Sequence, residues 1–351
     1  MNASAPASPS PASPASTLHL LGRFSQAYTG AERELLDIRR LLQGRRPVKL
    51  WSDVPLHPSY AGQDIAVIQP FAQQFPRGGA LLIAGVHMRP GLWLKYAKFE
   101  QIILFYNLAN HAQLFAAMES LRDSTGLDPE LVFVSKLLQL SVGLPGRISR
   151  SLMDVQPFLA VAGERFAQAS TPGAADRPFT VGRVSRDAPD KHHPEDPALY
   201  RMLASRGLRV RIMGGTCMAQ ALAGVEGVEL LPAGAESTPD FYRSLDAFFY
   251  RTGASTEAYG RVVVEAMAAG LPVVAHVRGG YAEVMEDGVS GRLIQSQEEA
   301  YDAVMQLAAD PALCRSMGEA GRLQAIAVHG PEATQREMVY YLGPAAAWCG
   351  R

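Results

Sequence analysis

The sequence predicts an α/β protein with two Rossmann-like domains that face a cleft. At 351 residues the chain exceeds one average hydrophobic core, so two domains are expected. Apolar strand-like runs alternate with helical runs, a pattern typical of parallel sheets with right-handed crossovers. An Ala/Ser/Gly/Pro-rich stretch at 167–178 interrupts the alternation once, after which it restarts. That stretch is therefore the predicted linker.

The domain boundaries follow from the same pattern. Residues 1–16 are Ala/Ser/Pro-rich, without a charged start or an apolar core, so we predict a disordered tail rather than a signal peptide. Residues 17–166 form the predicted N-terminal domain and 179–345 the C-terminal one. A last helix near 331–342 is expected to return toward the first domain.

Each domain is predicted element by element from its apolar periodicity. In the N-terminal half we expect strands at 18–24, 48–54, 80–87, 101–107 and 156–162, helices at 30–44 and 111–126, and a strand leading into a helix over 130–146. In the C-terminal half we expect strands at 179–185, 208–215, 226–234, 246–252 and 272–277, and helices at 197–207, 238–245, 261–269, 298–310 and 311–329.

Composition excludes several classes of protein. Charged residues make up 19% and the net charge is −1, so no nucleic-acid partner is expected. Three cysteines without C-x-x-C spacing favour a reducing cytoplasm over a disulfide framework or a zinc site. The sequence contains no run of eighteen apolar residues, so no membrane span is predicted. The N-terminal half carries about +4 and the other half about −5, which leaves open an anionic acceptor or a peripheral contact with the inner membrane face.

The stretch TEAYGRVVVEAMAAGLPVVA, residues 256–275, places two glutamates around an apolar helix. Gly260 can open this helix, and Gly270 with Pro272 ends it before a buried strand. A buried carboxylate at Glu265 needs partners. Two alternatives remain open at this point: a pair with Arg261 one turn earlier, or hydrogen bonds from the hydroxyls of a bound ligand.

Further candidates follow predicted strands, where ligands bind parallel sheets. Gly30 opens the first helix and allows close approach to its N–H groups, although a simple tight turn explains it equally. Arg183 and Lys191 follow the first strand of the second domain and suit a diphosphate, with a solvated loop as the alternative.

The remaining loop features are glycines and histidines. Gly214 and Gly215 end a strand and suit close approach by a flat base or a phosphate. A second glycine pair, 279–280, precedes Glu283. Arg186 and the 192–193 histidine pair are further candidates, but adjacent side chains diverge and no ligand set accompanies them, so no metal site is predicted.

Taken together, these motifs resemble a GT-B glycosyltransferase of the retaining family 4 type. The resemblance rests on the Glu, seven residues, Glu motif of Glu257 and Glu265 with its EAMAAGLPVV continuation, supported by the G-G-x-x-E run at 279–283 and by the G-R pair at 182–183. It covers residues from about 178 to 345 well. The N-terminal half matches only in its strand pattern and its Gly30 loop.

The resemblance implies a nucleotide-sugar donor, a glycan or lipid-linked acceptor in surface polysaccharide assembly, and no metal or other cofactor. It implies that Glu265 binds the ribose, Glu257 the transferred sugar, and Arg183 with Lys191 the diphosphate. Backbone N–H groups at Tyr259 and Gly260 would meet the same phosphates. Because the loop before Lys191 is longer than in the family, Arg183 is the firmer match.

On the acceptor side, His87 and His111 are the candidate cleft histidines. Each is explained equally by an ordinary position at a strand end or a helix start. Three other functions stay open: a non-catalytic GT-B partner subunit, a GT-B phosphorylase or epimerase, and a two-domain dehydrogenase. No G-x-G-x-x-G follows a predicted strand, which argues against the dehydrogenase.

Overall fold

The computed structural model describes residues 16–27, 29–88, 91–168, 177–254 and 256–343. The predicted tail, apart from Ser16, and residues 169–176 of the predicted linker lie outside these ranges. Within them the chain forms two separate all-parallel sheets, one in each half.

The first sheet has seven strands in the order β3-β2-β1-β4-β5-β6-β7. They are β1 (Leu18–Gly22), β2 (Val48–Ser52), β3 (Ile65–Val67), β4 (Ala80–Ala84), β5 (Gln101–Tyr106), β6 (Glu130–Phe133) and β7 (Arg147–Ile148). The helices of this half are α1 (Gly30–Leu41), α2 (Leu94–Ala97), α3 (His111–Thr125), α4 (Lys136–Val142) and α5 (Gln156–Gln168). The inner strands β1 and β4 are almost wholly apolar and buried, as expected for a sheet covered on both faces.

The second sheet has six strands in the order β10-β9-β8-β11-β12-β13. They are β8 (Thr180–Val184), β9 (Arg209–Met213), β10 (Val228–Leu231), β11 (Ala247–Tyr250), β12 (Val273–His276) and β13 (Arg292–Ile294). Its helices are α6 (Asp196–Ser205), α7 (Thr238–Arg243), α8 (Arg261–Ala268), α9 (Gln297–Ala309), α10 (Pro311–His329) and α11 (Pro331–Leu342).

Two of the differences between the predicted and the observed strands have a clear local cause. Residues 156–162 belong to helix α5, because a short apolar run fits a buried helix as well as a strand. The strand predicted at 80–87 ends at Ala84, where Gly85 takes a positive φ of 80° and turns the chain.

Two helices join the halves. The α5 helix packs against α7 and α8, and Arg165 donates to the Tyr242 carbonyl at 2.9 Å. The last helix, α11, spans the predicted residues and does return to the first sheet, where Arg147 pairs with Glu337 at 3.0 Å. One hydrophobic core consequently runs through both halves, and a smaller one lies on the α6 and α9 face. Of the described helices, none is both long and apolar enough to cross a bilayer.

Candidate functional site

Helix α8 is the centre of the candidate site, and its first residues are shaped by glycine. Gly260 is the N-cap, with a φ of 81° that most side chains rarely adopt. A Cβ atom there would also lie 2.3 Å from the Tyr281 ring. Gly270 takes a φ of 70° after the helix, as its sequence position predicts. The helix thus begins and ends where predicted.

The Glu265 carboxylate is fully buried at the interface between the two halves. Its Oε1 accepts a hydrogen bond from Arg33 Nη2 of α1 at 3.0 Å. Its Oε2 is buried and has no hydrogen-bond partner among the described residues. One carboxylate oxygen is therefore held by a cation from the other half, and the second has an unused acceptor capacity.

The alternative pair within α8 is wrong. Arg261 does not contact Glu265; it donates to Ser151 Oγ at 2.7 Å and to Asp37. Arg33 and Asp37 stand four residues apart on α1, and Arg261 and Glu265 stand four apart on α8. Each helix thus presents an Arg and an acid, and the two pairs cross between the halves. The Glu265 carboxylate raises the pKa of Arg33, which favours the charged guanidinium.

Glu257 lies before α8 and pairs with Lys191. Its Oε2 accepts from Lys191 Nζ at 3.0 Å and from the Tyr250 hydroxyl at 2.7 Å. Burial opposes ionisation of Glu257, but Lys191 and Tyr250 hold its pKa below the usual value. The structure therefore brings together an ionised carboxylate and an ammonium group near the N-terminal end of α8.

Arg183 lies beneath this pair rather than beside it. Its side chain is 1% exposed, and its Nη1 donates to the Arg251 carbonyl at 2.7 Å. Its Nη2 donates to the Lys191 carbonyl, and its guanidinium stacks on the Tyr250 ring at 4.5 Å. Arg183 consequently supports both partners of Glu257, whereas Lys191, the weaker match by sequence, is the more accessible cation.

The predicted glycines lie close to other protein atoms. A Cβ atom on Gly214 would lie 2.0 Å from the Ser185 carbonyl oxygen, and one on Gly215 would lie 2.6 Å from Ile212. Gly30 is the first residue of α1, and a Cβ there would be 3.8 Å from Arg261 Cδ. Gly30 therefore faces the first turn of α8, as a position at the cleft requires.

The second glycine pair joins the halves. The Gly280 N–H donates to the Glu257 carbonyl at 3.0 Å, and a Cβ on Gly280 would lie 2.8 Å from Ser135 Cβ. Glu283 then accepts from the backbone N–H groups of Lys136 at 3.1 Å and Leu137 at 2.7 Å. This carboxylate from the second half thus caps helix α4 of the first half.

The aromatic and histidine candidates fall in different places. Tyr259 is buried, and its hydroxyl shares a hydrogen bond with the His329 ring. His87 is exposed, three residues beyond the end of β4. His111 is also exposed and contacts Ser141 Oγ at 3.0 Å. Neither His87 nor His111 hydrogen-bonds to Glu257 within the described ranges.

The other loop candidates lie around β8. His192 Nε2 contacts the Gly214 carbonyl oxygen at 2.9 Å, and the ring of His193 packs edge-on against His276. Arg186 pairs at 3.5 Å with Asp190. The two adjacent histidines thus point to different surroundings. In the parts of the chain that the structure describes, no group of three or more His, Cys, Asp or Glu side chains could hold a metal ion.

Sequence reasoning missed the contribution of the first half to this site. Arg33 and Asp37 were not identified, although an Arg and an acid four residues apart on a helix that starts at Gly30 were the available signal. Tyr250 was also missed, because a buried strand tyrosine has no local signature.

Comparison with known proteins finds similarity to glycosyltransferases, both in sequence and in fold. Residues 173–324 match the family model described as glycosyl transferases group 1. A D-inositol 3-phosphate glycosyltransferase of Streptomyces griseus is 38% identical over 96 residues, which are 27% of this chain and 20% of the relative. The chain thus spans about a fifth of the length of this curated relative.

Solved structures extend the likeness to both halves. The crystal structure of Anabaena Alr3699/HepE in complex with UDP and glucose has a TM-score of 0.71 at 17% identity, covering 93% of this chain and 99% of that one. WaaG, a glycosyltransferase involved in lipopolysaccharide biosynthesis, has a TM-score of 0.66 at 13% identity, covering 93% and 100%. The protein therefore has the GT-B fold, and residues 173–324 of its C-terminal half are similar to the glycosyl transferases of group 1.

Proposed function

We propose that the protein transfers a sugar, with retention, from a nucleotide-diphosphate sugar to a glycan or lipid-linked acceptor. The observation that carries the proposal is the Lys191–Glu257 pair beside the start of α8, with Glu265 inside the same helix. The group 1 match and the UDP complex of the HepE neighbour support a nucleotide-linked donor.

In this proposal Glu265 recognises the ribose. The unpartnered Oε2 accepts from a ribose hydroxyl while Arg33 keeps Oε1 in place. A fully buried carboxylate discriminates strongly, because a ligand that lacks the hydroxyl leaves its oxygen without a partner. Glu257 accepts from hydroxyls of the transferred sugar.

The leaving diphosphate gains negative charge as the bond to the sugar breaks. The Lys191 ammonium and the N-terminal end of α8, at Tyr259 and Gly260, stabilise that charge. Arg183 donates to the Lys191 carbonyl and stacks on the Tyr250 ring. In this structure it therefore positions Lys191 and Glu257 instead of contacting the donor itself. We do not assign the two glutamates as a glycosidase pair, because in this proposal both of them accept hydrogen bonds from hydroxyl groups of the donor.

The setting we propose is surface polysaccharide assembly on the cytoplasmic side of the membrane, in line with the involvement of the WaaG neighbour in lipopolysaccharide biosynthesis. No divalent metal is required, because Lys191 and the helix end meet the leaving-group charge. A chelator should therefore leave transfer unchanged.

A donor screen tests the function. Purified protein is heated with a panel of nucleoside diphosphates and with NAD(P)H, and the panel of matching nucleotide sugars is then assayed for nucleoside diphosphate release. We expect stabilisation by one base and turnover of its sugars. A response to NAD(P)H alone would favour a dehydrogenase, and nucleotide binding without any turnover would favour a non-catalytic subunit.

A further inference from the structure

A cavity lies between the two halves, next to the candidate donor site. It has a volume of about 420 Å³. Its walls are the start of α4, the segment after β7, the junction of α10 with α11, and Glu283. Three cationic side chains line it, from Lys136, Arg150 and Arg336.

The acidic groups of this cavity are already engaged. Glu283 accepts from the two N–H groups at the start of α4, and Glu337 pairs with Arg147, which does not line the cavity. His329 adds no positive charge, since burial lowers its pKa to about 3.

The cations are in the opposite situation. Lys136, Arg150 and Arg336 are exposed, and their side chains form no hydrogen bond or ion pair with any residue in the described ranges. Three positive charges around one concave space raise the local concentration of anions and supply the donors that bind an oxyanion.

Two wall residues of the cavity, Glu283 and His329, are connected to the candidate active site. Glu283 ends the turn that starts at Gly280, and the Gly280 N–H donates to the Glu257 carbonyl. His329 bonds to Tyr259, two residues after Glu257. An acceptor anchored in the cavity would thus lie beside the proposed sugar position.

We infer that this cavity binds a phosphate group of the acceptor, so that the acceptor class is a phosphorylated molecule; the inference rests on the proposed transferase function. Arg150 and Arg336 can each bind phosphate oxygens through two parallel N–H groups, and Lys136 adds a compact charge. The phosphate can belong to a soluble sugar or polyol phosphate or to a lipid-linked phosphate, which share this chemistry.

Calorimetric titration with inorganic phosphate tests the cavity. The protein is first saturated with the nucleoside diphosphate found in the donor screen, so that the signal does not come from Lys191. Three variants are compared with the wild type. One combines Arg150→Gln and Arg336→Gln, the second carries Lys136→Gln alone, and the third, Arg315→Gln, is a matched control. Arg315 is an exposed arginine on α10, without an ion pair among the described residues, and does not line the cavity.

We expect the double variant to bind phosphate at least about tenfold more weakly, and Lys136→Gln to bind it several-fold more weakly. Arg315→Gln should match the wild type, and nucleoside diphosphate affinity should stay within about twofold in all variants. Replacing both arginines with lysine should restore part of the affinity, since the charge returns. Equal phosphate affinity in the double variant and the wild type would overturn the inference.

Two assays then identify the source of the phosphate. One measures transfer to a panel of soluble sugar and polyol phosphates, and the other measures transfer to vesicles that contain a polyprenyl phosphate. In either assay the double variant should raise the acceptor KM with little change in kcat. Failure of the proposed function would look different, because no nucleoside diphosphate would bind the wild type. In that case phosphate is titrated without nucleotide, so that the cavity is still tested.

Discussion

The candidate donor site and the neighbouring cavity differ in how their charged side chains are paired. On the donor side Glu257 pairs with Lys191, and Glu265 pairs with Arg33. In the neighbouring cavity three cations have no described partner. The cation beside Glu257 favours its ionised form, and both pairs orient a carboxylate, whereas unpaired cations attract an anion. This difference in charge pairing is the basis on which we propose a polar sugar and nucleotide for the first side and a charged acceptor for the second.

Replacing Lys191 should cause the largest loss of activity among the variants of the donor site. Lys191→Gln takes away the counter-charge of Glu257 and the cation that we assign to the leaving diphosphate, so kcat should fall by about 10²- to 10³-fold. Initial rates with the identified donor measure this. The control is Lys95→Gln, an exposed lysine on α2. Wild-type turnover in Lys191→Gln would remove Lys191 from the mechanism.

Glu265 and Glu257 should differ in which step they affect. Glu265→Gln removes the charge that accepts ribose hydroxyls, at about 1.5–3 kcal/mol, so nucleoside diphosphate affinity should fall by about 10- to 150-fold. Glu257→Gln should leave that affinity nearly unchanged and lower turnover instead, because its partner is the sugar. Calorimetry on both variants measures the contrast. Wild-type affinity in both would make Glu265 a structural residue.

Arg33 should connect the two halves through Glu265. In Arg33→Gln the carboxylate loses its cation, and nucleoside diphosphate affinity should fall by about tenfold, with Arg33→Lys restoring part of it. The matched control is Arg39→Gln, because Arg39 is a half-buried arginine on the same helix that donates to Gln63 and to the Asp64 carbonyl rather than to Glu265. A Glu265→Gln background should abolish the effect of Arg33→Gln. Additive losses in the double variant would show that Arg33 does not act through Glu265.

The buried interface should show a pH dependence through Glu34. Its Oε1 accepts from the Leu152 N–H at 3.0 Å, and burial raises its pKa to about 8. The folded state therefore binds the proton more tightly than the unfolded state. Stability is greatest below the unfolded pKa and falls as pH rises toward 8, by at most about 1.4 kcal/mol per pH unit.

Glu34→Gln should flatten this dependence, because an amide still accepts from Leu152 and does not titrate. Urea unfolding at about pH 5.5 and about pH 7.5 measures it. The wild type should lose stability between these values by more than the variant does. Parallel pH curves for the two proteins would contradict the assignment.

The smallest effects are expected at the two exposed histidines. His87→Ala and His111→Ala should each change kcat/KM by less than about twofold, since neither ring bonds to the Glu257 site among the described residues. A loss of more than about tenfold in either would assign that histidine to the acceptor side.

Local chemistry was sufficient to predict the frame of the site. The bounds of α8 follow from Gly260, Gly270 and Pro272, because positive φ and the missing proline N–H act on the nearest residues only. The closing helices α10 and α11 were likewise predicted with their observed bounds. The strand predicted at 156–162 was wrong, since a short, mostly apolar run satisfies either period.

The sequence by itself determined two parallel α/β halves, the position of both glutamates around α8, and the resemblance of the C-terminal half to glycosyl transferases of group 1. Only the tertiary structure decided which charges meet: Arg261 pairs with Asp37 of the first half, and Arg33 takes Glu265. It also decided that Arg183 lies beneath Lys191 and that three separate segments bring their cations to one cavity. The physical reason is distance along the chain: hydrogen-bonded turns depend on neighbouring residues, whereas an ion pair depends on how two helices from different sheets pack.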